Sequence, residues 1–240
     1  MDKKLVVITG ASSGIGAALA QKFSAEGHPL LLLSRRLERM EALHLPQALC
    51  RKVDITDHEA FVKALAEAEE TYGDIDLLIN NAGQMLLGDL ANQDPQEWRK
   101  MFDLNVLALM DGMQYVLPKM RKRRSGTIIN IGSVAGLRPS PEHVAYTGAK
   151  FAVHSLTENA RQESAAYNVR MITIAPGAVD TELVSHTTDA AIRAQYLKAN
   201  EAMGGALQAI DIANAASYAY NQPQEVNIRQ IVIAATQQRL

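Results

Sequence analysis

Short β-branched or leucine-rich runs alternate along the chain with longer helical patterns, a glycine-rich turn follows the first run, and no linker breaks the alternation. Together these predict an α/β protein: one domain over 1–240, a doubly wound parallel sheet of seven strands with helices on both faces. The 240 residues suffice to bury a full core without disulfide or metal staples. With 48% hydrophobic and 21% charged residues the composition is that of an ordinary globular protein, which excludes disorder, collagen-like repeats and coiled-coil rods. A net charge of -2 gives no overall field to gather nucleic acid or an anionic membrane, so neither is expected as a partner.

Strands are expected at 5–9, 30–34, 48–53, 77–79, 127–131, 170–175 and 228–233. Helices are expected at 17–26, 59–72, 95–124, 143–167 and 209–220, with Asp94 as N-cap and Pro95 as first helical residue of the third. The segment 181–205 is polar and alanine-rich without a strand partner, and is expected to form a substrate lid, with a mobile surface insertion as the alternative. The opening apolar run Leu5-Val6-Val7-Ile8 is too short for a signal peptide, and nothing approaches the ~18 apolar residues of a membrane span, so a cytoplasmic location is expected. Cys50 is the single cysteine, and the six histidines never stand at metal-site spacing, so no disulfide or metal is expected.

The turn Thr9-Gly10-Ala11-Ser12-Ser13-Gly14-Ile15-Gly16 lies between the first strand and the first helix. In a Rossmann-type sheet this is where glycines let the backbone approach a pyrophosphate and a helix N-terminus offers it free N–H groups. Gly10-Ala11-Ser12-Ser13-Gly14 also matches the G-x-S-x-G elbow of hydrolases, with Ser12 as nucleophile. Only one strand precedes it and no histidine follows in a suitable terminal loop, so the dinucleotide reading is preferred. About 20 residues beyond such a loop an acid usually holds the ribose hydroxyls of NAD. Here Leu33-Ser34-Arg35-Arg36 stands instead, and two guanidinium groups without a carboxylate favour the 2′-phosphate of NADP(H).

Tyr146 and Lys150 are four apart on one expected helix face, and Ser133 follows the strand at 127–131, at the carboxyl end where parallel sheets bind ligands. With the glycine loop, Asp54, Asn80-Asn81-Ala82-Gly83, Asn105 and Pro176-Gly177 followed by Thr181, the sequence closely resembles the short-chain dehydrogenase/reductase family. The ending without a glycine-rich tail leans toward its NADP-dependent serine and 3-hydroxy acid dehydrogenases, and Thr147-Gly148-Ala149 between tyrosine and lysine departs from the commonest pattern.

The resemblance implies an oxidoreductase moving a hydride between NADP(H) and a small hydroxy or carbonyl compound, possession of a complete acid/base set arguing against the alternative of a non-catalytic NADP(H) sensor. It implies Tyr146 as general acid/base, Lys150 on the nicotinamide ribose and lowering the tyrosine's pKa, Ser133 on the substrate oxygen and Asn105 holding a proton-relay water. It further implies a cofactor lining of Gly10, Ser12, Ser13, Gly14, Ile15, Gly16, Ser34, Arg35, Arg36, Asp54, Ile55, Asn81, Ala82, Gly83, Pro176, Gly177, Val179 and Thr181, besides Tyr146 and Lys150. Bringing a phenol of pKa ~10 to neutrality takes about 4 kcal/mol, which one ammonium about 4 Å away supplies at an effective dielectric of ~20.

Lys119-Met120-Arg121-Lys122-Arg123-Arg124 reads as a solvated helix end whose cations complement the dipole, rather than a nucleic-acid patch. Met85, Leu86 and Leu87 are open between substrate wall and core, Trp98 reads as packing, and His143, three residues before Tyr146, reads as a helix-start residue with a place in the pocket as the alternative. Helices 95–124 and 143–167 are apolar on more than one face, which predicts a homodimer or homotetramer through them.

Overall fold

A computed structural model describes residues 3–203 and 205–238. Along the chain run β1 (Leu5–Thr9), α1 (Gly14–Ala25), β2 (Leu30–Ser34), α2 (Leu37–Glu41), β3 (Ala48–Lys52), α3 (His58–Tyr72), β4 (Ile75–Asn80), α4 (Pro95–Phe102), α5 (Ala108–Arg123), β5 (Thr127–Ile131), α6 (Val144–Ser164), β6 (Arg170–Pro176), α7 (Ala190–Ala202), α8 (Ala209–Tyr220) and β7 (Gln230–Ile233). The seven strands form one sheet in the order β3-β2-β1-β4-β5-β6-β7, every pair parallel. The order reverses between β1 and β4, which opens a crevice at the carboxyl ends of the strands.

Alternation along each strand builds the two layers. Val6, Ile8, Leu30 and Leu32 face α1 and α8, where they meet Leu19, Phe23, Ile212 and Ala216. Leu5, Val7, Leu31 and Leu33 face the opposite way, toward Phe61 and Leu65 of α3, Met113 and Val116 of α5 and Val153 of α6. All four leucines of β2 are fully buried, and burying each stabilises the fold by roughly 1.5–3 kcal/mol.

Several elements differ from the sequence reading. The expected helix 95–124 is divided into α4 and α5 by a π-helical turn, Asp103–Leu107, centred on Asn105. The expected helix 143–167 ends as α6 with a 3-10 turn, Ala165–Tyr167. The strand expected at 77–79 runs from Ile75 to Asn80, and the last strand is shorter than 228–233. The short α2 and the helix α7 were not foreseen; α7 lies within 181–205, capped by Asp189, whose carboxylate accepts from the N–H groups of Ala191 and Ile192. Gly204 of that segment lies outside the described residues. Three cations of the basic run at the end of α5 stand in ion pairs: Lys119 with Glu69, Arg121 with Glu163 and Arg123 with Asp74.

The amino-terminal edge of the sheet, away from the crevice, is tied by a buried arginine. Arg170 donates to Thr127 Oγ1 at 3.0 Å and to the carbonyls of Tyr220 and Gln222 at 2.8 Å each. Arg170→Met strips partners from these buried acceptors and is expected to lower the unfolding free energy by about 3 kcal/mol, read by urea titration. Because the change is remote from the crevice, ligand affinity there should stay within about twofold; a protein as stable as the parent would refute the assignment.

Candidate active site

One cleft of about 1470 Å³ runs along the carboxyl ends of the strands, lined at one end by the glycine loop and Arg36 and at the other by Ser133, Tyr146 and Lys150. At the end of β1 the fully buried Thr9 hydroxyl accepts the N–H groups of both Asn81 and Ala82 at 3.0 Å. The Asn81 amide returns a hydrogen bond to the Thr9 carbonyl at 2.9 Å. The turn after β1 is thereby locked to the turn after β4. This closeness demands glycine: Gly10 sits at φ +67, and a Cβ there would lie 2.8 Å from Ala82 Cα, while one on Gly16 would lie 2.2 Å from the Gly10 carbonyl oxygen. The cradle fits a pyrophosphate, since Ser13 makes no side-chain cap to α1 and no acid stands in that first turn.

Ser34, Ser12 and Ser13 form the outer rim. Ser34 Oγ donates to Ser12 Oγ at 2.8 Å, and Arg36 reaches across with Nε to Ser12 Oγ at 3.2 Å and Nη2 to Ser13 Oγ at 2.7 Å. Arg36 therefore carries the contact to the glycine loop, with Arg35 beside it in the cleft wall. Asp54 also lines this wall, its carboxylate accepting from Thr56 N and Oγ1 at 3.1 and 2.8 Å. Ile15, Ile55, Ala82, Gly83, Pro176, Gly177, Val179 and Thr181 line the same cleft.

At the inner end, Ser133 caps a short 3-10 turn, Val134–Gly136, by accepting from Ala135 N at 3.1 Å, and its hydroxyl bonds the Tyr146 phenol. One turn of α6 further on, Lys150 donates to the Ile131 carbonyl at 2.8 Å, its Nζ lying 5.8 Å from the Tyr146 ring centroid. Both side chains are almost wholly buried. Burial pushes the Tyr146 phenol well above its usual range, the Ser133 bond opposing it and Tyr196 reinforcing it, and brings the Lys150 ammonium down to about 8. Burial is the largest influence on the tyrosine in this arrangement. A dry site disfavours the phenolate and the ammonium alike, and the ammonium is directed at a carbonyl.

Asn105 is placed behind the wall and does not line the cleft: its side chain accepts from Gln84 N and donates to Gln84 O, both at 2.9 Å. Its side chain holds the loop after Gly83. Met85 and Leu87 line the cleft, whereas Leu86 packs in the cluster around Met101. Trp98 packs against that cluster with its indole N–H on Gln93. His143 does line the cleft, its ring 6.5 Å from that of Tyr146 and 6.2 Å from that of Tyr196 on α7.

The family model for short chain dehydrogenases matches residues 4–192. The chain belongs to the short-chain dehydrogenase/reductase family. An uncharacterized oxidoreductase of Staphylococcus saprophyticus is 38% identical over 243 residues, covering 99% of this chain and 98% of the relative. A serine dehydrogenase in closed form, complexed with NADP+, superposes with a TM-score of 0.90 at 29% identity over 98% of this chain and 96% of that one. An alcohol dehydrogenase from the archaeon Thermococcus sibiricus, complexed with 5-hydroxy-NADP, gives 0.86 at 25% identity over 99% of both. As a member of this family the chain is an NAD(P)-dependent oxidoreductase with a small-molecule substrate. Among the described residues no helix is long and apolar enough to cross a membrane.

Three residues of this short-chain dehydrogenase escaped the sequence reading. Arg39, one turn past Arg36, and Glu182 meet at the outer rim. His154 supports the inner end from behind, its Nε2 accepting from Ser133 N at 3.4 Å, in space that a side chain on Gly132 or Gly136 would fill. None lies in a motif, so only folding brings them to the site.

The buried lysine makes stability depend on pH. Its folded value of about 8 lies below the 10.5 of an open chain, so the folded protein binds fewer protons between the two, and stability rises as pH is raised through that window. Relative to Lys150→Met, the parent is expected to gain about 3 kcal/mol of unfolding free energy between about pH 7.5 and 10.5. Parallel stability curves from denaturant titrations of the two proteins would show that Lys150 is not held this way.

Proposed function

We propose that the protein is an NADP(H)-dependent oxidoreductase interconverting a small hydroxy compound, a 3-hydroxy acid among the candidates, with its carbonyl partner. The observation carrying this reading is the meeting of Ser133, Tyr146 and Lys150 in the same cleft as a glycine cradle rimmed by Arg36. When bound, NADP(H) supplies or accepts the hydride. Gly10, Gly14 and Gly16 with the N-terminus of α1 would hold its pyrophosphate, Arg36 with Ser12, Ser13 and Ser34 its 2′-phosphate, and Asp54 and Ile55 would border its adenine end.

Ser133 orients the substrate oxygen through the hydroxyl that now bonds Tyr146, and Tyr146 gives or takes the proton of that oxygen at Oη. Lys150, held by the Ile131 carbonyl, orients the ribose and is the cation that offsets the burial of the phenol when both are engaged. Met85, Leu87, Leu183 and Val184 exclude water around the reacting carbon, and the segment 181–205 serves as lid. The serine dehydrogenase and alcohol dehydrogenase relatives, both solved with NADP species, support this assignment. The same reading makes the enzyme cytoplasmic, and a homodimer or homotetramer through α4, α5 and α6, where Leu107, Met110 and Phe151 are exposed.

The test is NADPH oxidation against a panel of 3-oxo acids, aldehydes and ketones. Tyr146→Phe should lower turnover by about a thousandfold while NADPH affinity stays within about twofold; full turnover in that variant would refute the acid/base assignment. Arg36→Asp should weaken NADPH by about tenfold or more and leave NADH within about threefold, an unchanged cofactor ratio counting against the 2′-phosphate site.

A further inference from the structure

The guanidinium pair at the outer rim already holds an anion, and it belongs to the chain itself. Glu182 Oε2 accepts from Arg36 Nη1 at 2.8 Å, and both carboxylate oxygens accept from Arg39 Nη1, at 2.7 and 3.0 Å. The other edge of the same Arg36 guanidinium rests on Ser12 and Ser13, so the carboxylate stands at the lip of the glycine loop, beyond the end of β2. Glu182 opens the 3-10 turn Glu182–His186 directly after Thr181, which caps that turn. The methyl of Thr181 packs so close to Gly14 that a Cβ there would lie 2.8 Å from it. The segment leading into α7 therefore crosses the cradle and is fastened on its far side by two arginines.

We infer that Glu182 is an internal counterpart of the cofactor's 2′-phosphate: it occupies Arg36 and Arg39 until a phosphate displaces it, and so sets the discrimination between NADP(H) and NAD(H). The inference rests on the 2′-phosphate site proposed above. A carboxylate bridging two guanidinium groups supplies one charge and two acceptor oxygens. A phosphate supplies up to two charges and three acceptor oxygens, so it wins the exchange in the same fork geometry. A 2′-hydroxyl is neutral and cannot compete; in its presence the carboxylate stays on the arginines. The two guanidiniums hold the Glu182 carboxyl down to about 2, so it is ionised throughout the working range and the exchange is driven by phosphate, not by pH. Affinity for NADP(H) is thereby set below what the bare arginines would give, and binding the phosphate releases the segment 181–205 at its anchored end.

Dissociation constants of NADPH, NADH and adenosine 2′,5′-bisphosphate, measured by calorimetry on the full chain, test this. Glu182→Gln keeps the shape of an exposed side chain and should tighten NADPH and the bisphosphate by about fivefold without tightening NADH. On an Arg36→Ala/Arg39→Ala background the same change should make no difference, which a general effect on the segment would not reproduce. If the double arginine variant selectively weakens NADPH while Glu182→Gln leaves it unchanged or weaker, Glu182 does not compete and the inference is overturned alone. If the parent binds NADPH and the bisphosphate without regard to the arginines, the 2′-phosphate site itself is wrong and the inference falls with it.

Discussion

The cleft is built around the oxygen of one buried threonine. Thr9 ends β1 in a place that water does not reach, and its hydroxyl is the acceptor for two consecutive backbone N–H groups from the turn after β4. A side chain of the same shape without that oxygen would orphan both donors, each at about 1–3 kcal/mol. Because β1 and β4 are the neighbours at which strand order reverses, this contact decides how far apart the two halves of the crevice stand. The glycines follow from that spacing, since backbone meets backbone across it at distances that no Cβ tolerates.

The two ends of the cleft differ in their contact with water, and this divides their chemistry. Tyr146 and Lys150 are sunk in α6 against the sheet, and burial moves both toward their neutral forms. Ser133 is held there from three sides: by Ala135 N, by the Tyr146 phenol and, through its own N–H, by His154. Such a site suits passage of one proton between fixed partners. Arg36, Arg39 and Glu182 are each about half exposed, so their charges are cheap to keep and to exchange. That end suits recognition of an anion arriving from solvent.

Much of this was legible beforehand because it is local. The strand runs, the turn Thr9 to Gly16, the pair Tyr146 and Lys150, and the arginines after β2 stand at spacings that the backbone alone converts into neighbours. Less legible was whatever depends on a partner distant in sequence. The π-helical turn at Asp103–Leu107 interrupts a continuous apolar pattern because Asn105 must reach the backbone of Gln84. The clamp that Asn105 places on the loop after Gly83 is therefore visible only in the fold. The lysine's effect on the tyrosine was reckoned from charge and distance, whereas desolvation, which no spacing reveals, is the larger influence.

The sequence by itself determined the fold class and the succession of the seven strands, since periodicity and short-range spacing are properties of the chain alone. Tertiary structure alone decided that Arg36 rather than Arg35 touches the glycine loop, that His154 stands behind Ser133, and that Glu182 closes on Arg36 and Arg39. These last contacts join residues remote along the chain. Their existence depends on where the sheet twist and the 181–205 excursion deliver each side chain, and no pattern within either segment encodes the other.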